Sequence, residues 1–314
     1  MVTYIVRRLL LAIIVLVIVS FISFMLMQLV PGNPVLTMLG LNATPSQIEN
    51  LTKELELDKP VLVQYGHWLN NALHGNFGKS VTMYRDNVTT LIARRLPITL
   101  YLAVLALIIA TLFGILIGIY CAMRRGSVFD QIFTILANLG TAVPIFWLGI
   151  LGIYLFGLKL DWFSIQGFTS PLENFNLSIR QTIMPVFCLS VTTVAMMTRQ
   201  TRSSMLEVIR QDYVRTARSK GLLERTTVMR HALKNALFPV VTLLGLAIPV
   251  EVGGSILVET VFNIPGMGRL LVTAAINKDF TVVQAGVLII GLIVSLANLL
   301  VDLSYGWLDP RVYK

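Results

Sequence analysis

The chain has 314 residues, is 55% hydrophobic and 13% charged, and has a mean hydropathy of +0.77. Soluble globular domains average about 25% charged residues, so this composition excludes an ordinary soluble protein. The net charge of +9 suggests nucleic acid as a possible partner, but its distribution along the chain favours another explanation.

Six apolar runs are long enough to cross a bilayer, which needs about 20 apolar residues per helix. They are Leu9–Val30, Ile98–Met123, Gln131–Leu158, Gln181–Thr198, Ala236–Val258 and Phe280–Val301. The fifth contains one acid, Glu251, and the others contain no charged residue. The first run is too long for a signal-peptide core and lacks a small-x-small cleavage site, so we interpret it as a retained span. The sequence therefore predicts an all-α integral membrane protein with six transmembrane helices.

The basic residues predict the orientation of these spans. Six spans place both termini on one side, and a cytoplasmic placement leaves 15 of the 25 Lys and Arg residues inside. This asymmetry follows the positive-inside rule, although Arg94 and Arg95 on the outer side run against it. We therefore predict cytoplasmic N- and C-termini, and we expect no nucleic-acid partner.

Residues 31–97, between spans one and two, carry helix signals of their own. Thr44, a following proline and Gln47 have the pattern of a capping box, which predicts a helix start. A second helix is predicted from near Pro60 to a stop at Gly75. The apolar positions that would share one face of this helix are Val61, Tyr65, Trp68, Leu69 and Leu73.

The stretch LHGNFGKS, residues 73–80, ends like a phosphate-binding loop. Such a loop needs G-x-x-x-x-G-K-[ST] between a strand and a helix, and Leu73 stands where the first glycine belongs. The stretch also follows a predicted helix on the outer side, where ATP is scarce. We predict a tight turn instead.

The largest predicted cytoplasmic loop, Arg199–Asn235, is basic and has a helix-forming composition. It predicts two short helices broken near Gly221. Tyr213, Ala217 and Gly221 recur every four residues, and small side chains in such a stripe let a helix lie close to a partner. From the pattern alone, a partner-binding helix and a solvated basic loop that fixes topology fit equally well.

Five stretches together resemble one transporter family. DYVRTARSKG (212–221) with HALKNALFP (231–239) resembles the EAA loop of ABC-importer permeases. The Glu-Ala-Ala-x-x-Gly core of that loop matches residues 216–221, with Ala217 and Gly221 as literal matches. LVPGNPV (29–35), GNFGKS (75–80), VETVFNIPGMGRLL (258–271) and LDPRVY (308–313) are similar, in the same order, to motifs of the dipeptide/oligopeptide/nickel permease family.

The resemblance implies a fold and a set of partners. The expected fold is that of a type I ABC importer permease, with an outer helical segment between spans 1 and 2, in the bacterial cytoplasmic membrane. The expected partners are a homologous second permease, two ABC ATPase subunits and an extracytoplasmic solute-binding protein. ATP would be hydrolysed in the ATPase subunits, so we expect this chain to be no enzyme and to have no catalytic residue, cofactor or metal. The expected division is 1–30 anchor helix, 31–97 outer segment, 98–305 permease core and 306–314 cytoplasmic tail.

The resemblance also gives residues 199–235 the role of contacting an ATPase. The residues expected to couple are Asp212, Tyr213, Arg215, Thr216, Ala217, Arg218, Lys220 and Gly221. The small Ala217 and Gly221 would allow close approach to a groove on the ATPase, whereas Arg215, Arg218 and Lys220 would pair with acids there. The residues expected to brace this helix against span five are His231, Leu233, Asn235 and Pro239.

Two features near span five are candidates for the translocation path or its gate. Glu251 either faces a peptide amino group or is an interfacial acid paired with a neighbour. The outer turn that contains Pro265, Gly266 and Gly268 is either a gate or binding-protein contact, or a plain turn. Three prolines interrupt predicted spans and could kink a cavity wall, namely Pro144, Pro185 and Pro249.

Peptides are the predicted cargo, with nickel chelates and glutathione as alternatives. A gradient-driven secondary transporter would need several intramembrane ionisable residues and an internal repeat, whereas only Glu251 and Asp302 lie at membrane depth and no repeat is visible. A membrane enzyme would need a base near Ser255, and no histidine is close to it. His231 and the other two histidines are predicted on opposite sides, so no metal cluster is expected.

Overall fold

A computed structural model describes residues 2–29, 35, 44–54, 56–80, 82, 86–164, 166–223 and 226–308, with the backbone alone at 2–4, 27, 51, 54 and 302–308. The motif LVPGNPV and the end LDPRVY therefore lie almost entirely outside the described residues, as does most of the predicted tail.

The described residues are mainly α-helical. In chain order these are α1 Val2–Leu29, α2 Pro45–Glu54, α3 Val61–Leu73, α4 Val88–Met123, α5 Val128–Ala142, α6 Ile145–Gly152, α7 Phe175–Val208, α8 Asp212–Ser219, α9 Leu233–Ala236, α10 Phe238–Val261, α11 Met267–Ile276 and α12 Phe280–Leu308. Two π-helical segments, Ile153–Lys159 and Thr227–Ala232, continue α6 and precede α9.

Five of these helices are long and apolar enough to cross a membrane: α1, α4, α7, α10 and α12. A sixth crossing exists if α5 and α6, with the π-helical segment that follows, count as one span. The six predicted runs thus reappear in the right order, and several helices extend well beyond them. The clearest extension is α7, which continues from the predicted end at Thr198 to Val208.

The third predicted span is not one straight helix, because the chain bends by 103° between α5 and α6. Pro144 has no N–H, and its ring disfavours helical geometry at the residue before it. Val143 is accordingly extended (φ −80°, ψ 127°), and Pro144 caps the start of α6. The other two prolines lie inside unbroken helices, Pro185 in α7 and Pro249 in α10. Only Pro144 therefore breaks a span in the described part of the chain.

The chain forms two compact units, residues 1–97 with 269–299 and residues 98–268 with 300–314. The second unit is organised around α7. A Cβ added at Gly114 of α4 would lie 2.4 Å from Met197 Cβ, and one at Gly118 would lie 2.6 Å from Thr201 Cβ. Glycine at both positions lets α4 approach the backbone of α7 closely.

The helices of the 31–97 segment agree with their sequence signals. Gln47 Oε1 accepts from the Thr44 N–H (3.0 Å) and Thr44 Oγ1 from the Gln47 N–H (3.4 Å), which confirms the capping box at the start of α2. Pro60 caps α3, and Gly75 follows that helix with φ +76°. Both predicted helices are confirmed.

The carboxylate of Glu56, between α2 and α3, contacts two basic side chains. Lys59 Nζ donates to its carboxylate (2.7 Å), and His67 Nδ1 contacts the other oxygen. The hydrogen bond from Lys59, followed by that from His67, holds the pKa of the Glu56 carboxyl below its usual value. His67 thus has a structural partner within its own segment.

The Gly-Lys-Ser stretch is extended, with Lys79 in an isolated antiparallel bridge to Asn87, and it packs on the start of α12. Asp279, fully buried just before α12, accepts from Ser80 Oγ (2.5 Å), Thr82 Oγ1 (2.9 Å) and the Thr82 N–H (3.1 Å). Gly78 has φ +80°, a conformation that favours glycine. The serine that completes the apparent phosphate loop is therefore used for packing within this unit, and the turn predicted in this stretch lies at its start, at His74 and Gly75.

Replacing Gly118 by alanine tests the close contact between α4 and α7. The added Cβ would meet Thr201 Cβ at 2.6 Å and the Thr198 carbonyl oxygen at 2.8 Å, so the helices must separate. We expect a loss of about 1–3 kcal/mol, the usual cost of overpacking, seen as a lower melting temperature of the purified protein in detergent. Gly66→Ala in α3 is the control, because nothing lies within 4 Å of its added Cβ. Equal melting temperatures for both variants would contradict this packing.

Candidate functional site: the loop helix, its supports and the buried acids of α10

The predicted coupling helix exists as α8, Asp212–Ser219. Its charges interact favourably with the helix dipole, because the acidic Asp212 lies in the first turn and the basic Arg218 in the last. Val214 and Ala217 are buried, whereas the other six residues of the helix are exposed. Among the exposed side chains, that of Asp212 is 99% accessible and that of Arg215 is 74% accessible. The helix therefore presents a polar face outward and two apolar residues to its own chain.

The buried position of Ala217 does not agree with the contact with a partner that its spacing predicts. Because it is buried within this chain, its small side chain serves internal packing, and α8 lies on the π-helical segment Thr227–Ala232. The stripe of Tyr213, Ala217 and Gly221 is therefore not one open surface. Tyr213 is 43% exposed and Gly221 is exposed, but Ala217 is not.

Gly221 is required by the backbone. The Gly221 N–H donates to the Arg218 carbonyl (2.9 Å), and the Lys220 N–H donates to that of Thr216 (3.1 Å). Gly221 itself has φ +80°, so it is the left-handed residue that ends the helix. Nothing lies within 4 Å of a Cβ added there. The requirement for glycine here is conformational, and a bulky variant would strain the end of α8 whatever lies outside it.

The residues predicted as a brace lie behind α8. Asn235 Nδ2 donates to Tyr213 Oη (2.8 Å), which links α9 directly to α8. Leu233 packs against a buried cluster at the end of α7 that comprises Ala122, Met205, Val228, Ala232 and Ala236. His231 is half-buried. Pro239, at the start of α10, lines an open cavity of about 210 Å³ together with Gln200, Thr242, Leu243 and Leu246.

Glu251 lies deep between α7 and α10. Its residue is 2% exposed, and Thr193 Oγ1 of α7 donates to its Oε1 (2.5 Å). Its Oε2 is buried without a hydrogen-bond partner among the described residues. The described residues therefore cover Glu251 almost completely, and Thr193 is the neighbour that hydrogen-bonds to it.

A second acid of α10, Glu259, organises the turn before α11. Glu259 is fully buried and accepts from Thr99 Oγ1 (2.5 Å), whose oxygen in turn accepts from the Met267 N–H (2.8 Å). A Cβ added at Gly266 would lie 2.4 Å from the Glu259 carboxylate oxygens. A Cβ added at Gly268 would lie 2.5 Å from the Ile256 Cα. Both glycines are therefore needed for packing. Pro265, directly before Gly266, is half-buried.

Sequence reasoning did not single out Glu259 or Thr99. Glu259 follows the fifth apolar run directly, and an acid at that place before a Pro-Gly turn is a usable signal for a buried support. Thr99 had no such signal, because a threonine in a long apolar helix usually bonds to its own backbone.

Solved structures with a similar arrangement identify the fold. The MetNI methionine ABC transporter, in inward-facing conformations, has a chain that aligns with a TM-score of 0.58 over 70% of this chain and 96% of that chain, at 17% identity. An amino acid ABC transporter with histidines aligns with a TM-score of 0.51 over 71% and 94%, also at 17% identity. The fold is that of an ABC importer permease, with a membrane-spanning helical core.

Sequence comparison gives the family. Residues 114–314 match the binding-protein-dependent transport system inner membrane component, and residues 1–103 match the N-terminal part described for such membrane components. An oligopeptide transport system permease protein of Bacillus subtilis is 38% identical, and a Brucella suis protein that carries the name peptide permease is 41% identical, each over 99% of both chains. The chain belongs to the family of binding-protein-dependent transport system inner membrane components. It is a multi-pass inner-membrane protein of a transport system that includes ATPase and substrate-binding partners.

Replacing Glu251 by glutamine separates the two interpretations of this acid. The amide oxygen still accepts from Thr193, and the side chain keeps its size in this buried position, so we expect normal amounts in the membrane and normal transport. Glu251→Lys should reduce the amount of inserted protein, because a cation at the bilayer centre costs about 2.5–3.5 kcal/mol. If Glu251→Gln inserts normally but transports nothing, the carboxylate charge is used in translocation. Immunoblots of membranes and uptake by vesicles provide both measurements.

Proposed function

We propose that this chain is the transmembrane permease subunit of an ATP-driven importer of di- and oligopeptides. The observation that carries the proposal is identity of 38–42% over practically the whole chain to proteins whose names assign them to peptide transport. Similarity over the full length includes the 31–97 segment, the loop helix and the turn before α11. The chain supplies half of the translocation pathway, and a homologous permease supplies the other half.

Energy enters through α8. The exposed residues Arg215 and Arg218 of α8, with Lys220 directly after the helix, form a basic surface that suits acidic side chains lining a groove on an ATPase subunit. Two such ATPase subunits bind, one on each permease, and ATP is hydrolysed there. Closure of the ATPases moves α8, and the spans follow as rigid bodies.

The two acids of α10 support the pathway in different ways. Glu259 holds the turn that contains Gly266 and Gly268, and Pro265 is the part of that turn that an external solute-binding protein reaches. Glu251 lies at the contact between α7 and α10, where a change in helix packing would expose it. In both roles, the predicted gate residues lie where the contacts between helices change when the spans move. The N- and C-termini are cytoplasmic, in keeping with the distribution of Lys and Arg.

Reconstitution tests the function directly. Proteoliposomes that contain this chain, its partner permease, the ATPases and the binding protein are given a mixed pool of unmodified di- to pentapeptides, and uptake is followed by mass spectrometry. We expect uptake that needs both ATP and the binding protein. Nickel chelates and glutathione are tested in parallel, and uptake of either in place of peptides would reassign the cargo. Uptake by this chain alone, driven by an ion gradient, would overturn the proposal.

Charge reversal on α8 tests the coupling surface. Arg215→Glu combined with Lys220→Glu should abolish co-purification of the ATPase subunits, because both side chains are exposed and the new acids would face acids. Arg124→Glu is the matched control, since Arg124 is exposed in the loop between α4 and α5 on the same predicted side of the membrane. Normal ATPase binding by the α8 variant, with uptake retained, would remove this role. A variant of Gly221 would not serve, because its left-handed backbone confounds the result.

A further inference from the structure

An ion pair fastens the first turn of α5 to the extension of α7. Arg202 Nε lies 2.6 Å from Asp130 Oδ1, and its Nη2 lies 2.9 Å from Oδ2, so the guanidinium donates through two parallel bonds. The Gly126 N–H donates to Oδ2 as well (3.0 Å). The Asp130 side chain is only 4% exposed. Three donors therefore fix a carboxylate that water barely reaches.

Both partners occupy places that matter for movement. Asp130 lies in the helix that leads to the 103° bend, and its N–H is capped by Ser127 Oγ (3.2 Å). Arg202 lies in α7 beyond the predicted end of the span at Thr198, ten residues before Asp212, where α8 begins. The pair thus joins the beginning of the broken span to the helix that leads into α8.

A second contact holds the same two helices further along. Thr192 Oγ1 donates to the Gly140 carbonyl (3.3 Å), and a Cβ added at Gly140 would lie 3.1 Å from Val191 Cγ1. Gly140 follows Asp130 by ten residues, and Thr192 precedes Arg202 by ten, a rise of about 15 Å along each helix. The helices are antiparallel and in register. Apolar contacts alone tolerate sliding, whereas a bidentate pair fixes both rotation and register.

We propose that Asp130 and Arg202 form a coupling clamp, which makes the α5–α6 pair move with α7 when the ATPases move α8. This inference rests on the proposed function. Movement of the loop reaches α7 through the buried cluster around Met205, and Arg202 lies three residues before Met205 in the same helix. The clamp transmits this movement from α7 to α5, and hence to the bend at Val143 and Pro144. Asp130 and Arg202 are positioning residues, since they act through helix placement.

The test uses the complete complex in proteoliposomes with the same peptide pool. The clamp variants are Asp130→Asn and Arg202→Lys, the latter keeping the charge but losing the planar pair of donors. The control is Lys53→Gln, which breaks the exposed Lys53–Glu49 pair of α2 (2.7 Å). The readouts are co-purification of the ATPases, ATP hydrolysis, and peptide transported per ATP hydrolysed.

We expect both clamp variants to assemble and to hydrolyse ATP near the wild-type rate, while peptide transported per ATP falls about tenfold, within the range of measured coupling factors. Lys53→Gln should match the wild type. An unchanged ratio in assembled clamp variants would overturn the clamp. So would parallel loss of assembly and of both activities in Asp130→Asn and Arg202→Lys, because the pair would then serve folding alone. Failure of the wild-type complex to import peptides with ATP would instead count against the proposed function.

Discussion

The permease core depends on how closely its neighbours approach α7. Three glycines make that approach possible, Gly114 and Gly118 on α4 and Gly140 on α5, since a Cβ at each would lie 2.4–3.1 Å from atoms of α7. In a bilayer, helices gain little from apolar burial against each other, so close backbone packing and hydrogen bonds hold them together. α7 also contacts α10 through Met197, Val240 and Ala247. In the second unit, α4, α5 and α10 are therefore all placed by their contacts with this one helix.

Buried acids recur in this protein, and hydroxyl groups stabilise most of them. Thr193 donates to Glu251, Thr99 to Glu259, and Ser80 with Thr82 to Asp279. Asp130 is bound by a guanidinium instead. A hydroxyl can donate or accept, so it accommodates either protonation state of a carboxyl group, whereas an arginine requires a carboxylate. Arg202 binds Asp130 where the register between α5 and α7 is fixed. The hydroxyl groups bind acids that support local packing.

Local signals in the sequence predicted local structure well. Thr44 and Gln47 predicted the start of α2, and the loop around Gly221 predicted a helix ending at a glycine. The six apolar runs predicted the spans, because bilayer thickness limits helix length strongly. Pro144 was noted as an interruption, yet the sequence did not distinguish it from Pro185 and Pro249, which leave their helices unbroken. The pairs Thr99–Glu259 and Asp130–Arg202 join residues far apart in sequence, so no local pattern reveals them. Ala217 was placed on the outward face because spacing alone does not show which side of a short helix its own chain covers.

The two-sided nature of α8 has a consequence for how such transporters diversify. Val214 and Ala217 anchor the helix to its own chain, and Asn235 holds Tyr213 from behind. The exposed side chains of Arg215 and Thr216 instead bond to Asp212, within α8 itself. Substitutions at these positions would leave the attachment of α8 to the permease intact, so the exposed face can vary between related permeases while the buried contacts beneath it stay the same.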